Sequence, residues 1–206
     1  MDPTMSLEDK TIAIIASNEF EDIELEYPLL YLSHKGANIK LVPIQAGHHP
    51  RPAFRDSGVK PVTGRFGTPL PPEVLAEGNR YEVVNFEDLE LERLDCILYP
   101  GGFSPDHLRV IPEVVEFTRE AYEEGLIVAS ICHGPWMLAE ADIADGKEIC
   151  GYEAIHTDLE NAGATIVDEP AIQDGNIVTG RVPDDLPEFS EAVEEALESN
   201  EAEVPA

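Results

Sequence analysis

At 206 residues, 43% of them hydrophobic, the chain is long enough for one domain with a sizeable core and too apolar to be disordered over most of its length. Forty-two acidic residues face thirteen basic ones, for a formal net charge of -29. A surface of that sign lacks the clustered Lys and Arg that nucleic acid or anionic lipid demands, which excludes both as partners.

Carboxylates this dense repel one another at low ionic strength, but at molar salt the Debye length falls to roughly 3 Å. The acids are spread through every segment rather than gathered in a tail, as expected of a protein from a salty, halophilic cytoplasm. Met1 to Lys10 carries acids where a signal peptide needs a basic and then an apolar stretch. No apolar run reaches the ~18 residues of a membrane span. A cytoplasmic location without membrane contact is expected.

In chain order, Thr11 to Ser17 (TIAIIAS) is a continuous apolar run, the mark of a strand buried on both faces. Ile23, Tyr27, Leu30 and His34 recur at helical spacing, and Gly36 ends that helix. Asn38 to Ile44 reads as a second strand, completing a βαβ unit and implying a parallel sheet. From Gly47 to Arg80 the rhythm breaks, with Pro50, Pro52, Pro61, Pro69, Pro71 and Pro72. Only a short turn at Glu73 to Ala76 is predicted there, and loops of this length are commonly functional or interfacial. Tyr81 to Asn85 is an edge-strand candidate.

Alternation resumes with Cys96 to Pro100, a strand running into Gly101-Gly102. Val114, Phe117 and Ala121 mark a helix closed by Gly125, and Leu126 to Ile131 is another buried strand. Pro135 opens a helix through Trp136, Leu138 and Ala141. A helix is predicted over Ile155 to Ala162, a hairpin at Asp174-Gly175, and an amphipathic helix from Asp184 to Ser199. These elements predict an α/β fold, a three-layer α/β/α sandwich with a mostly parallel sheet. One domain spans 1–200, with a Pro/Gly-rich elaboration at about 47–80 and a frayed tail at 200–206.

Cys96, Cys132 and Cys150 form neither a C-x-x-C pair nor an even framework, so reduced thiols are expected. Cys96 lies inside an apolar strand, and Cys150 in the short segment Glu148 to Tyr152. Both read as small buried hydrophobes. Cys132 differs. In Ala129-Ser130-Ile131-Cys132-His133-Gly134-Pro135 a buried strand ends, a cysteine stands at the turn, a glycine permits close backbone approach and a helix begins. That is the logic of a nucleophile elbow at the carboxyl edge of the sheet, where open α/β folds place their ligands. The helix N-terminus favours the thiolate, the reactive form. His48-His49 has no partner at ligand spacing, so no metal site is expected.

The segment SICHGP resembles the nucleophile motif of the PfpI branch of the ThiJ/PfpI superfamily. Asn18-Glu19-Phe20-Glu21-Asp22-Ile23-Glu24, Pro100-Gly101-Gly102, Tyr152 through Asp158 to Asn161-Ala162-Gly163, Asp174-Gly175-Asn176 and Arg181-Val182-Pro183 follow the family pattern in order. The resemblance runs from about Thr11 to Phe189, except for the 47–80 elaboration, and implies a flavodoxin-like, class I glutamine amidotransferase-like sheet. It implies that Glu21 is the protonated carboxyl group bonded to the Cys132 sulfur, and that His133 is the base or thiolate partner. It makes Asp106 the third member, in cis or from a neighbouring subunit, and the N–H groups of Gly102 and His133 the oxyanion hole. Gly180 departs from the pattern, which usually has a serine there, and is expected to loosen a structural hydrogen bond. No cofactor is implied. The expected partners are small reactive carbonyls or peptides, together with further copies of the chain in a homo-oligomer whose site lies near the subunit interface. The implied function is a cysteine-dependent enzyme of glyoxalase III or deglycase type. The alternatives are an intracellular cysteine peptidase and, in another class, an oxidative-stress sensor or chaperone-like protein. Glutamine amidotransfer is disfavoured because no histidine follows His156.

Overall fold

Uninterrupted apolar strands demand cover on both faces, and the computed structural model, which describes residues 6–46, 62–70 and 81–200, supplies it. Strands β1 (Thr11–Ala16), β2 (Asn38–Pro43), β5 (Tyr81–Val83), β6 (Cys96–Tyr99), β7 (Ile127–Ile131), β10 (Ala171–Asp174) and β11 (Ile177–Gly180) form one sheet. Its order is β10-β11-β7-β6-β1-β2-β5, parallel throughout except for the antiparallel hairpin of β10 and β11. Two minor pairs lie outside it: β3 (Val62–Thr63) with β4 (Pro69–Leu70), and β8 (Glu148–Ile149) with β9 (Thr165–Ile166).

The two-residue period of a strand divides the core into two clusters. Ile12, Ile14 and Ala16 pack with α1 (Asp22–His34) and α6 (Leu186–Asn200). Ala13 and Ile15 face the other way, toward α2 (Ser104–Leu108), α3 (Pro112–Glu123), α4 (Trp136–Glu140) and α5 (His156–Asn161). The three-layer α/β/α sandwich with a mostly parallel sheet is therefore observed, with the Asp174-Gly175 hairpin where expected and Gly175 at φ 64.

One helical face differs from the expectation. In α1 the buried stripe is Leu25, Leu29 and Leu32, with Glu24 and Pro28 beside it, while Ile23 is 48% exposed and His34 is exposed. Apolar residues occur nearly all round this helix, so spacing alone admitted two stripes. The rotation determines which glutamate enters the site.

The 47–80 elaboration is described only over 62–70, the β3–β4 hairpin. The predicted turn at 73–76, the histidines at 48 and 49, and the tail at 201–206 lie outside the described residues. The hairpin docks on the start of α1. The Asp22 carboxylate accepts from the N–H of Phe66 and of Thr68, both at 2.9 Å, and Thr68 donates its hydroxyl to Glu26. The N–H of Arg65 reaches the carbonyl of Phe20 at 3.0 Å, and Thr63 and Glu19 are joined through N–H and carbonyl at 2.8 Å.

Candidate active site

The turn after β7 holds Cys132 at φ 62, a left-handed conformation that non-glycine residues rarely adopt. It is fixed from several sides. The Cys132 N–H donates to the carbonyl of Gly180 at 3.0 Å, its carbonyl accepts from Tyr152 N–H at 2.9 Å, and Gly134 N–H closes back on Ile131 at 2.7 Å. A Cβ on Gly134 would stand 2.6 Å from the Tyr99 carbonyl oxygen, so the elbow requires that glycine. At Gly180 a Cβ would meet the Phe189 ring at 2.8 Å. The departure from serine leaves room for that ring, and the backbone of Gly180 still ties down the elbow.

The thiol is buried, 8% exposed, at the carboxyl edge of the sheet. Backbone N–H groups of His133 and Gly102 both bond toward it. Gly102, at φ 68, is brought there by an antiparallel bridge to Phe20, and a side chain at this position would collide with the Glu19 carbonyl oxygen. The expected pair of amides is thus assembled around the sulfur.

The carboxyl group against the sulfur belongs to Glu24, not Glu21. Glu24 is fully buried, its Oε2 accepts the Gly101 N–H at 2.8 Å, and its carboxyl interacts with the Cys132 thiol. Oε1 is buried without a partner in full hydrogen-bond geometry. Burial raises the Glu24 carboxyl from the ordinary 4.5 to about 8, against the opposing pull of the Gly101 N–H and the thiol. Glu21 precedes α1 as its N-cap and pairs with Arg65 Nη1 at 2.6 Å. The reason is the helical face: 21 and 24 are three residues apart, and only 24 adjoins the inward stripe.

Burial also raises the Cys132 thiol, as does a charged Glu24, while the two amides lower it. When Glu24 keeps its proton the repulsion disappears and a carboxyl O–H faces the sulfur. Thiol and carboxyl therefore titrate as one coupled pair. The helix behind the elbow starts only at Trp136 and has five residues, so the amides and Glu24, rather than a long helix, surround the thiol with donors.

The His133 ring stacks on Tyr152 at 5.1 Å and meets Trp136 edge-on at 5.1 Å. Burial first and the Arg65 charge second lower its pKa, opposed by Asp106, so the imidazole is neutral near pH 7. Its Nδ1 is buried without a partner among the described residues. Asp106 is exposed on α2, close enough to act electrostatically, yet no hydrogen bond joins it to His133 within the chain. The two expected residues share a neighbourhood without forming a relay. Sequence reasoning missed Glu24, Arg65 and the aromatic walls Trp136 and Tyr152. For Glu24 a signal was available in Leu25-Leu29-Leu32, which places residue 24 at the inner edge. Cys96 and Cys150 are buried, and among the described residues no three His, Cys, Asp or Glu groups gather to hold a metal ion. No helix among them is long and apolar enough to cross a membrane.

Residues 10–196 match the DJ-1/PfpI family. The chain belongs to that family. It is 35% identical over 181 residues to a Bacillus subtilis protein named "Putative cysteine protease YraA", covering 88% of this chain and 94% of that one. It is 34% identical over 178 residues to an uncharacterized protein of Archaeoglobus fulgidus, covering 86% of this chain and 92% of the other. Among solved structures it resembles a two-domain protein from Anabaena variabilis with DJ-1/ThiJ/PfpI-like and ferritin-like domains. The TM-score is 0.74 and identity 30%, with 91% of this chain but only 50% of that protein covered. A Schizosaccharomyces pombe DJ-1 structure (TM-score 0.66, 15% identity) covers 95% of this chain and 100% of its own, and shows the shared fold.

Proposed function

We propose that the chain is a cysteine-dependent enzyme acting on reactive carbonyl compounds or their adducts, in the manner of a glyoxalase or deglycase. The observation that carries this reading is the coupling of the Cys132 thiol to a buried carboxyl that keeps its proton up to about pH 8. Acid and nucleophile then stand side by side, with two amides directed at the sulfur. The thiol gives up its proton to a base as sulfur bonds to the aldehyde carbon, and the former carbonyl oxygen takes a proton to form a hemithioacetal. With methylglyoxal, removal of the proton on C1 gives an enediol, and a proton returned to C2 leaves a thioester. Water cleaves that thioester to lactate and regenerates the thiol. Glu24 and neutral His133 are the groups placed to carry these protons.

The peptidase reading has a named relative behind it. It needs an acid on His133 Nδ1, which has no partner among the described residues while Asp106 stands exposed. A homo-oligomer that brings an acid across the interface would complete it, and gel filtration combined with peptide hydrolysis tests both points together.

The deciding assay follows methylglyoxal loss and D-lactate formation in high salt, free of added amines and thiols, for the wild type and Cys132→Ser. Turnover is expected in the first and a fall of at least about 10³-fold in the second. Absence of lactate of either hand from the wild type, together with no turnover of 2-oxoaldehydes that carry a carboxylate, rejects the carbonyl reading in favour of the peptidase or a redox sensor.

A further inference from the structure

We infer that Arg65, on the β3–β4 hairpin, is a recognition residue for a carboxylate on the substrate, so that the site takes anionic carbonyl compounds, 2-oxoaldehydes or their adducts that carry a carboxylate beyond the two reacting carbons. The inference deepens the carbonyl reading above and rests on it for the word substrate, though not for the anion site itself.

The hairpin puts Arg65 beside the site through backbone bonds. Its N–H is held by Phe20, the residue that bridges Gly102, and the Gly102 N–H bonds toward the Cys132 sulfur. Two peptide units therefore link the residue carrying the guanidinium to the one carrying the oxyanion donor. Asp22 fixes the hairpin tip from below through the N–H groups of Phe66 and Thr68, so the position does not depend on the Arg65 side chain. The side chain is 45% exposed, and its charge reaches inward to both Glu24 and His133.

A carboxylate already sits on this guanidinium. Glu21 Oε2 lies 2.6 Å from Nη1 and shows that the group, where it stands, can hold a carboxylate in charge-assisted contact. One such contact does not preclude another. Arg181 of this chain binds Asp168 through Nη1 and Asp185 through Nε and Nη2, two carboxylates on one planar fork. A local cation matters more on this surface than on a neutral one. A protein of net charge -29 repels anions, and a local cation near the thiol offsets that repulsion for an anionic substrate.

The test uses two alkylating reagents that differ in charge and share a mechanism: iodoacetate and iodoacetamide each form an S–C bond with the Cys132 thiolate and release iodide. The ratio of their rates at fixed ionic strength cancels changes in thiol reactivity and reads anion preference at the sulfur. Arg65→Gln is expected to lower the iodoacetate-to-iodoacetamide ratio about fivefold, the size of one part-exposed ionic contact. Arg65→Lys, which keeps the charge, should hold the ratio near wild type. Glu21→Gln, which removes the competing internal carboxylate, should raise it. Arg93→Gln removes the same unit of charge from an exposed pair with Glu90 and should leave the ratio unchanged. An unaltered ratio in Arg65→Gln, or an equal fall in Arg93→Gln, overturns the proposal. If the ratio behaves as expected but no carbonyl compound is turned over, the anion site stands and the carbonyl-enzyme reading falls.

Discussion

Cys132 and Cys96 stand on neighbouring strands, both buried, and burial raises the thiol pKa of both. Their surroundings separate them. Cys96 sits within β6, its sulfur facing the carbonyl of Ile97 at 3.4 Å, with one N–H, from Ala129, on the other side of the balance and its ionisation further opposed by the Asp95 charge. Cys132 stands one residue beyond β7, at positive φ, with two N–H groups and a proton-holding carboxyl directed at its sulfur. Burial by itself makes a thiol inert. Burial among donors makes a thiol whose negative charge is stabilised as soon as it forms.

The strongest way to break this contrast is to remove the carboxyl proton. Glu24→Gln keeps the shape and loses the acid, and should lower Cys132-dependent turnover by about 10²-fold. Glu21→Gln, three residues away, should not approach that loss. Equal losses would mean that the buried carboxyl has no special role, and steady-state rates on the two variants decide it. A smaller effect comes from exchanging sulfur for oxygen at each position. Cys96→Ser places a hydroxyl in an apolar strand and should cost ~1–3 kcal/mol in denaturant unfolding, with turnover retained. At 132 the hydroxyl meets three polar partners, so stability should change less while turnover vanishes. A third effect is spread over several pH units rather than read as one loss: the pH trend of stability. Glu24 holds its proton more tightly folded than unfolded, so its contribution is whole below about 4.5 and is lost as pH rises through about 8. The melting temperature of Glu24→Gln should accordingly gain on the wild type across that interval. A difference that stays flat with pH would show that Glu24 is ionised throughout.

The strands were legible because a parallel strand buried on both sides must be apolar at every position, as in residues 11–16 and 127–131. The elbow was legible because a cysteine, a histidine and a glycine fell where a strand stops. Short elements were not: α2 has five residues and β8 and β9 two each, too few for any period to register. The choice between Glu21 and Glu24 turned on how α1 is rotated, which local spacing leaves open when leucines, tyrosines and an isoleucine surround the helix. Arg65 was illegible for another reason. Its place depends on Asp22 capturing amides 44 and 46 residues away, inside a stretch whose prolines suggested only an excursion.

That Asp22 grip has a consequence for how the site can be altered. The hairpin contributes main-chain N–H groups to the clip, which every amino acid except proline supplies, so the side chain at position 65 can change without loosening it. The thiol is positioned by the sheet edge and the guanidinium by a hairpin laid across it, so the two can be altered independently.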